Sequence, residues 1–127
     1  MITSTFRDRL MMVNFDEFRE LIYTIEDLKA EQNQLNRRVK NRPICTYTAY
    51  QMLKQIAEPL RRIFNSRKHN NDTVISKFTY ALQKLDLLRR ELAEYGRDEL
   101  AKTLLAIYQR LFALLPDQTI IRKILSI

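Results

Sequence analysis

The stretch NFDEFRELIYTIEDLKAEQNQLNRRVK, residues 14–40, decides the fold of this chain. Its apolar residues recur at spacings of three, four and seven, and they are Phe15, Phe18, Leu21, Ile22, Ile25, Leu28, Leu35 and Val39. Residues at these spacings lie on one face of an α-helix. Asn14, with Glu17 three residues later, has the pattern of a capping box, and the residue before Pro43 is pushed out of the helical conformation. The sequence therefore predicts a long helix from Asn14 to about Lys40.

The rest of the chain repeats this periodicity and predicts four more helices. Their expected first residues are Thr46 or Thr48, Asp72, Asp98 and Asp117. Gly96 is the only glycine, and it stands where the third helix needs a left-handed terminal residue. Pro116 ends the fourth helix, and Pro59 predicts a bend in the second helix near Gln55–Glu58. Residues 1–13 are expected to add a turn or short helix whose Phe6, Leu10 and Met11 pack inward.

Composition indicates the same class of fold. The chain has 127 residues, 46% of them hydrophobic, with one glycine and three prolines, so it holds few of the residues that turns require. We expect a single helical domain over residues 1–127, an all-α compact bundle of four long helices plus a short C-terminal helix. No apolar run approaches the ~20 residues that span a bilayer, and the N-terminus does not resemble a signal peptide. A cytoplasmic protein without membrane contact is therefore expected.

The positive charge is concentrated in one part of the sequence. The chain carries a formal net charge of +7, and residues 37–68 hold nine lysines and arginines against a single acid, Glu58. The nine are Arg37, Arg38, Lys40, Arg42, Lys54, Arg61, Arg62, Arg67 and Lys68. Such a block repels itself, which favours a role in binding an anionic partner. We predict that these nine residues bind a nucleic-acid backbone.

Other interpretations of the charge remain open at this stage. Cations at the end of the first helix complement its dipole, which accounts for Arg37, Arg38 and Lys40 but not for the rest. An acidic protein, an anionic membrane or simple solubility could also explain the block. Two lysines of the third helix, at positions 77 and 84, either extend the basic track or are merely solvated. Tyr47 and Tyr50 either stack on bases or pack in the core.

Nothing in the sequence indicates an enzyme, a metal site or a cofactor. His69 is the only histidine and lies in a polar loop, and Cys45 is the only cysteine, so no disulfide within the chain or cysteine-based zinc site is expected. One glycine cannot build a phosphate-binding loop. The acids at the start of the first helix, Asp16, Glu17 and Glu20, fit a solvated face or a surface for a basic partner.

The basic run Arg37-Arg38-Val39-Lys40-Asn41-Arg42, with Arg61-Arg62 and Arg67-Lys68, on a five-helix outline resembles the small subunit of CRISPR effector complexes. The resemblance covers the whole chain and concerns architecture and charge, because that group has no diagnostic motif. It implies a non-catalytic subunit that stacks in copies beside other effector subunits. Its basic face would contact the backbone of a DNA strand or of guide RNA, while base pairing reads the sequence. The competing hypothesis is a helical protein–protein adaptor that binds no nucleic acid.

Overall fold

A computed structural model describes residues 5–38, 44–66 and 70–125 of the chain. These residues form five α-helices and no strand, which confirms the prediction of an all-helical fold. The helices are α1 (Phe6–Arg38), α2 (Ile44–Asn65), α3 (Asn71–Glu94), α4 (Asp98–Ala113) and α5 (Gln118–Leu125). The expectations for Lys40, Pro43 and His69, and for the side chain of Cys45, lie outside what the structure describes. None of the described helices is long and apolar enough to cross a membrane.

The first helix begins eight residues earlier than the sequence predicted. Thr5 forms the capping box instead, because the Asp8 amide donates to Thr5 Oγ1 at 3.1 Å and the Thr5 amide to Asp8 Oδ2 at 3.4 Å. Asn14 therefore lies inside α1, where its side-chain amide donates to the Leu114 carbonyl at 3.2 Å. The expected inward packing of Phe6 is confirmed, since this side chain is buried. Leu10 is buried as well, and Met11 packs against the core.

The second helix also starts earlier than predicted and is not interrupted. It begins at Ile44, so Thr46 and Thr48 lie within its first two turns rather than capping it. Thr46 is buried, and its carbonyl accepts a hydrogen bond from the Asn36 side chain at 3.3 Å, which ties the start of α2 to the end of α1. Helix α2 continues through Pro59 to Asn65. A proline removes one helical hydrogen bond, and here it lies beside an open groove rather than in the core.

The ends of the last three helices follow local signals in the sequence. Helix α3 is capped by Asn70, whose side chain accepts from the Thr73 amide at 2.8 Å, while the predicted cap, Asp72, lies in the first turn. The expected role of Gly96 is confirmed, because it has φ +75° and its amide donates to the Ala93 carbonyl. The predicted cap of α5 is confirmed too, since Oδ1 of Asp117 accepts from the Thr119 amide.

The helices share one hydrophobic core to which all five contribute buried side chains. Helix α1 packs along α2, α2 along α3 and α3 along α4, while α1 also touches α4 and α5 touches α3. Helices α1 and α2 are antiparallel, because Arg7 at one end donates to the carbonyls of Ile63 and Phe64. Near the same end, the Phe18 ring lies between the rings of Phe64 and Phe78, with centroids 6.0 and 6.1 Å away. This aromatic stack joins the first three helices.

The apolar stripe predicted for α1 is only partly buried. Phe18, Leu21, Ile22 and Ile25 are buried as expected. Phe15 and Leu35 are exposed, and the polar residues Gln32 and Asn36 are buried in the second half of the helix. Gln32 accepts a hydrogen bond from the Arg97 guanidinium at 3.4 Å, so its burial depends on the turn between α3 and α4. The second half of α1 is therefore held partly by polar contacts.

Replacing Gly96 by alanine is expected to lower the free energy of unfolding by about 1 kcal/mol, because the left-handed conformation is strained for a residue with a Cβ atom. No atom lies within 4 Å of a Cβ built at this position, so a clash adds nothing. Urea denaturation measures the change. Gly96→Asn should cost less, since asparagine tolerates this conformation better. An alanine variant as stable as the wild type would contradict the assignment of this turn.

Candidate nucleic-acid interface

Among the residues that the structure describes, the predicted basic side chains do not lie together at one place. Arg37 and Arg38 are exposed at the end of α1, near the start of α2. Arg61 and Arg62 lie near the opposite end of α2, about 25 Å from its first residue along the helix axis. Lys54 is exposed between them. The remaining four of the nine predicted residues, Lys40, Arg42, Arg67 and Lys68, lie outside the described residues.

The two adjacent arginines of α2 are directed to different sides of the helix. Successive residues of an α-helix are turned by about 100° around its axis. Arg61 reaches towards α1, where its Nη2 lies 2.6 Å from Oε2 of Glu26. Arg62 pairs with Glu58 one turn earlier on α2, at 2.9 Å, and lines a groove between α2 and α3. The two side chains therefore belong to two separate surfaces, which the sequence could not distinguish.

The groove between α2 and α3 is an open depression of about 460 Å³. Its lining consists of Gln55, Glu58, Pro59, Arg62, Ser76, Lys77 and Tyr80. Arg62 from α2 and Lys77 from α3 supply one cation from each wall. The sequence left the role of this lysine undecided, and the structure places it in the same groove as one of the predicted arginines.

A further lysine extends the positive charge beyond Arg62 and Lys77. Lys84 follows Lys77 by two turns on α3, and its Nζ lies 5.6 Å from the centre of the Tyr80 ring, which is itself exposed. Lys54 precedes Arg61 by seven residues, so it lies within about 20° of Arg61 and about 80° from Arg62 around the axis of α2, away from the lining of the depression. We call the depression, with the three cations Arg62, Lys77 and Lys84, the α2–α3 groove. In the sequence, the only sign of this groove was a basic residue on α2 together with two lysines seven apart on α3. Only the packing of the two helices shows that these residues lie at one groove.

Glu58 is the only acid that lines the described part of this groove. Its ion pair with Arg62 joins two side chains that are 56% and 60% exposed, so water screens it strongly. Exposed pairs of this kind contribute at most about 1 kcal/mol. An incoming anion could therefore replace the Glu58 carboxylate on Arg62 at small cost.

The candidate aromatic residues of α2 lie elsewhere. Tyr47 is exposed and Tyr50 is half-buried, and both lie nearer the start of α2 than any residue of the groove lining. Tyr80 of α3 is the aromatic ring that the groove presents. Its exposure results from its place on the outer side of α3, one turn after Ser76.

A second group of basic residues, near the contacts of α3 with α4 and α5, has partners within the chain. Asp86 forms ion pairs with both Arg89 and Arg90. Burial raises the pKa of the nearby Tyr108 phenol above its ordinary value, and the negative charge of Asp86 raises it further, so the phenol stays protonated at neutral pH. Arg122 lies over the Phe112 ring, with its Cζ 4.9 Å from the ring centre. These groups stabilise the packing of α3, α4 and α5.

Two of the three acids at the start of α1 also have partners within the chain. Asp16 pairs with Arg19 at 3.2 Å, and Glu17 lies 3.4 Å from Nε of Arg110 on α4. Glu20 is exposed. Among the residues that the structure describes, no group of histidine, cysteine or acidic side chains is arranged to hold a metal ion.

Comparison of the chain with known protein families, with curated proteins and with solved structures gives no match. The chemistry of its own side chains is therefore the basis for assigning it a function.

Proposed function

We propose that this chain is a non-catalytic protein that binds the phosphate backbone of a nucleic acid in the α2–α3 groove. The observation that carries the proposal is that Arg62 and Lys77, from different helices, line one open groove. Lys84, beside the Tyr80 ring, continues the positive charge beyond Lys77. Three cations against Glu58, the one acid of the lining, leave the groove with an excess of positive charge.

The groove chemistry suits phosphates better than base edges. Arginine binds phosphate oxygens through two parallel N–H groups, and lysine binds them as a point charge. The depression is a shallow surface between two packed helices, and neither helix projects free of the bundle as an element that enters the major groove must. Binding of this kind is indifferent to sequence and depends strongly on salt, because each phosphate contact releases counterions.

The proposal is tested by titrating the wild-type protein into unrelated single-stranded and duplex oligonucleotides over a salt series. We expect an affinity that falls steeply with salt and changes little with base sequence. Fluorescence anisotropy of a labelled oligonucleotide measures it. Absence of binding to either nucleic acid at about 50 mM salt would overturn the proposal.

Replacing Glu58 by glutamine is expected to tighten binding by up to about fivefold, because Arg62 loses its internal competitor and the groove loses its one acid. The same anisotropy titration measures the change. Glu94→Gln is the matched control, since it removes one exposed acid at the end of α3 and alters net charge equally. An equal gain from both variants would show that total charge, rather than the groove, determines affinity.

We propose further that the chain works in the cytoplasm as the small subunit of a CRISPR effector complex, contacting a DNA strand or guide RNA. The proposed architecture is a compact single-domain bundle of four long helices and a short C-terminal one. Support comes from the resemblance in length, helical character and basic charge. A tagged chain recovered from the cells that produce it should bring down guide RNA, other effector subunits and further copies of itself. Recovery without RNA and without those subunits would overturn this assignment.

The alternative function, a helical protein–protein adaptor, is favoured by one specific observation. Met12 and Val13 are 78% and 82% exposed on adjacent positions of α1, an unusual exposure for a pair of large apolar side chains. Such residues are typical of a surface that a partner protein covers. A wild-type protein that binds a partner through Met12 and Val13, but no nucleic acid at low salt, would establish the adaptor function.

A further inference from the structure

A second depression, between α1 and α2, combines flat cationic and aromatic groups. Its volume is about 240 Å³. The residues that line it are Arg19, Ile22, Tyr23, Arg61, Phe64 and Asn65. Two guanidinium groups and two aromatic rings therefore surround one small space. We call it the α1–α2 pocket.

The aromatic groups at this pocket are unusually accessible. Tyr23 is 54% exposed, although neighbouring residues of α1 bury their apolar side chains. The Phe64 ring contacts Phe15 at a tilt of 34°, with centroids 4.9 Å apart, and Phe15 is itself 45% exposed. The guanidinium of Arg19 lies over the Phe15 ring at 5.7 Å. Flat groups thus adjoin one another from the pocket wall to the surface.

The charge of the pocket distinguishes it from the α2–α3 groove. Each guanidinium has an acid beside it, since Glu26 pairs with Arg61 and Asp16 with Arg19. Neither acid lines the pocket, so the flat guanidinium groups remain its surface. The Glu26 carboxylate is only 21% exposed and lies 2.6 Å from Arg61, so a phosphate displaces it less easily than it displaces the exposed Glu58 from Arg62. A neutral, planar group gains contact with both the rings and the guanidinium planes.

The two sites lie at the same level of α2, on sides about 100° apart around its axis. Arg61 lines the α1–α2 pocket and the next residue, Arg62, lines the α2–α3 groove. An α-helix with its side chains is about 10–12 Å across. A nucleic-acid strand whose phosphates occupy the groove therefore has only the exposed ridge of α2 to cross before it reaches the pocket.

We propose that the α1–α2 pocket receives an unpaired base of a single-stranded nucleic acid whose backbone lies in the α2–α3 groove. This inference rests on the proposed function, because the groove supplies the backbone contact. A base stacks against Tyr23 and the Arg61 guanidinium, and the Asn65 amide at the pocket wall can hydrogen-bond to the base edge. Duplex DNA keeps its bases stacked inside the helix, so the pocket selects single strands.

The experiment compares a single-stranded oligonucleotide with an abasic strand of equal length and charge, each titrated against wild-type protein and Tyr23→Leu. The wild type should bind the base-bearing strand roughly tenfold more tightly than the abasic one, the contribution expected of one stacked base. Tyr23→Leu should remove most of that difference and leave abasic binding unchanged. Tyr23→Phe keeps the ring and should retain the difference in affinity between the two strands. Tyr95→Leu, which alters a similarly exposed tyrosine at the end of α3, is the matched control.

The outcomes separate this inference from the function on which it rests. Equal affinity for both strands, unaffected by Tyr23→Leu, overturns the base pocket but not the proposal of backbone binding. The α1–α2 pocket would then be a surface for a protein partner. Failure to bind either strand overturns both proposals. A loss of abasic binding in Tyr23→Leu, with an unchanged ratio between the strands, also contradicts a stacking role.

Discussion

Replacing Phe18 by alanine is expected to lower the free energy of unfolding by about 3–5 kcal/mol. This side chain has no exposed surface, and its ring lies between Phe64 of α2 and Phe78 of α3. Its removal leaves a cavity where three helices meet, and the surrounding structure relaxes only partly into such a cavity. Urea denaturation followed by circular dichroism measures the loss.

Phe15→Ala is the matched control for this prediction. It removes the same ring one turn earlier on α1, from a position that is 45% exposed, and should cost well under half as much. Similar losses from the two variants would contradict the placement of the α1 face towards the core. A loss of stability in Phe15→Ala but not in Phe18→Ala would mean that Phe15, rather than Phe18, faces the core.

Replacing the three groove cations together, Arg62→Gln, Lys77→Gln and Lys84→Gln, should reduce the slope of log affinity against log salt by about 2. Each phosphate contact with a single strand contributes about 0.7 to that slope, so three lost contacts account for the change. The three side chains are at least partly exposed, and glutamine is a good helix former, so the fold should persist. Anisotropy titrations at several salt concentrations measure the slope, and circular dichroism verifies the helices.

A second threefold variant has the same net charge as the groove variant but leaves the α2–α3 groove intact. It carries Arg37→Gln, Arg38→Gln and Lys102→Gln, and it includes the two exposed arginines that sequence reasoning assigned to the binding surface. The groove proposal predicts that this variant keeps most of the wild-type slope. An equal loss in both variants would mean that the charge of the whole chain, or the end of α1, accounts for binding.

Much of the fold was predictable because its signals are local. Apolar spacing identified the five helices, and the ends at Gly96 and Asp117 depend on residues within one turn of each other. The start of α1 was misjudged because Asn14 resembles a cap in the sequence. Its side chain instead binds the carbonyl of Leu114, 100 residues away, and no local pattern contains that partner.

The candidate site was predictable only in part. A count of charges located the basic part of the chain, including Arg62, but it could not show that Glu26 of α1 binds Arg61 across 35 residues. Nor could it show that Lys77 lies in the same groove as Arg62, because that depends on how α2 packs on α3. Ion pairs and grooves between helices form from residues distant in sequence, and a single sequence does not specify them.

The central claim is that the groove between α2 and α3 binds a nucleic-acid backbone. Its most direct test is a map of backbone amide chemical shifts, recorded by NMR on the 15.3 kDa protein as a short single-stranded oligonucleotide is added. We predict that the shifts change along residues 55–62 of α2 and 76–84 of α3 and that these changes diminish as salt is raised. Changes confined to α4 and α5, or to the end of α1 at Arg37 and Arg38, would contradict it.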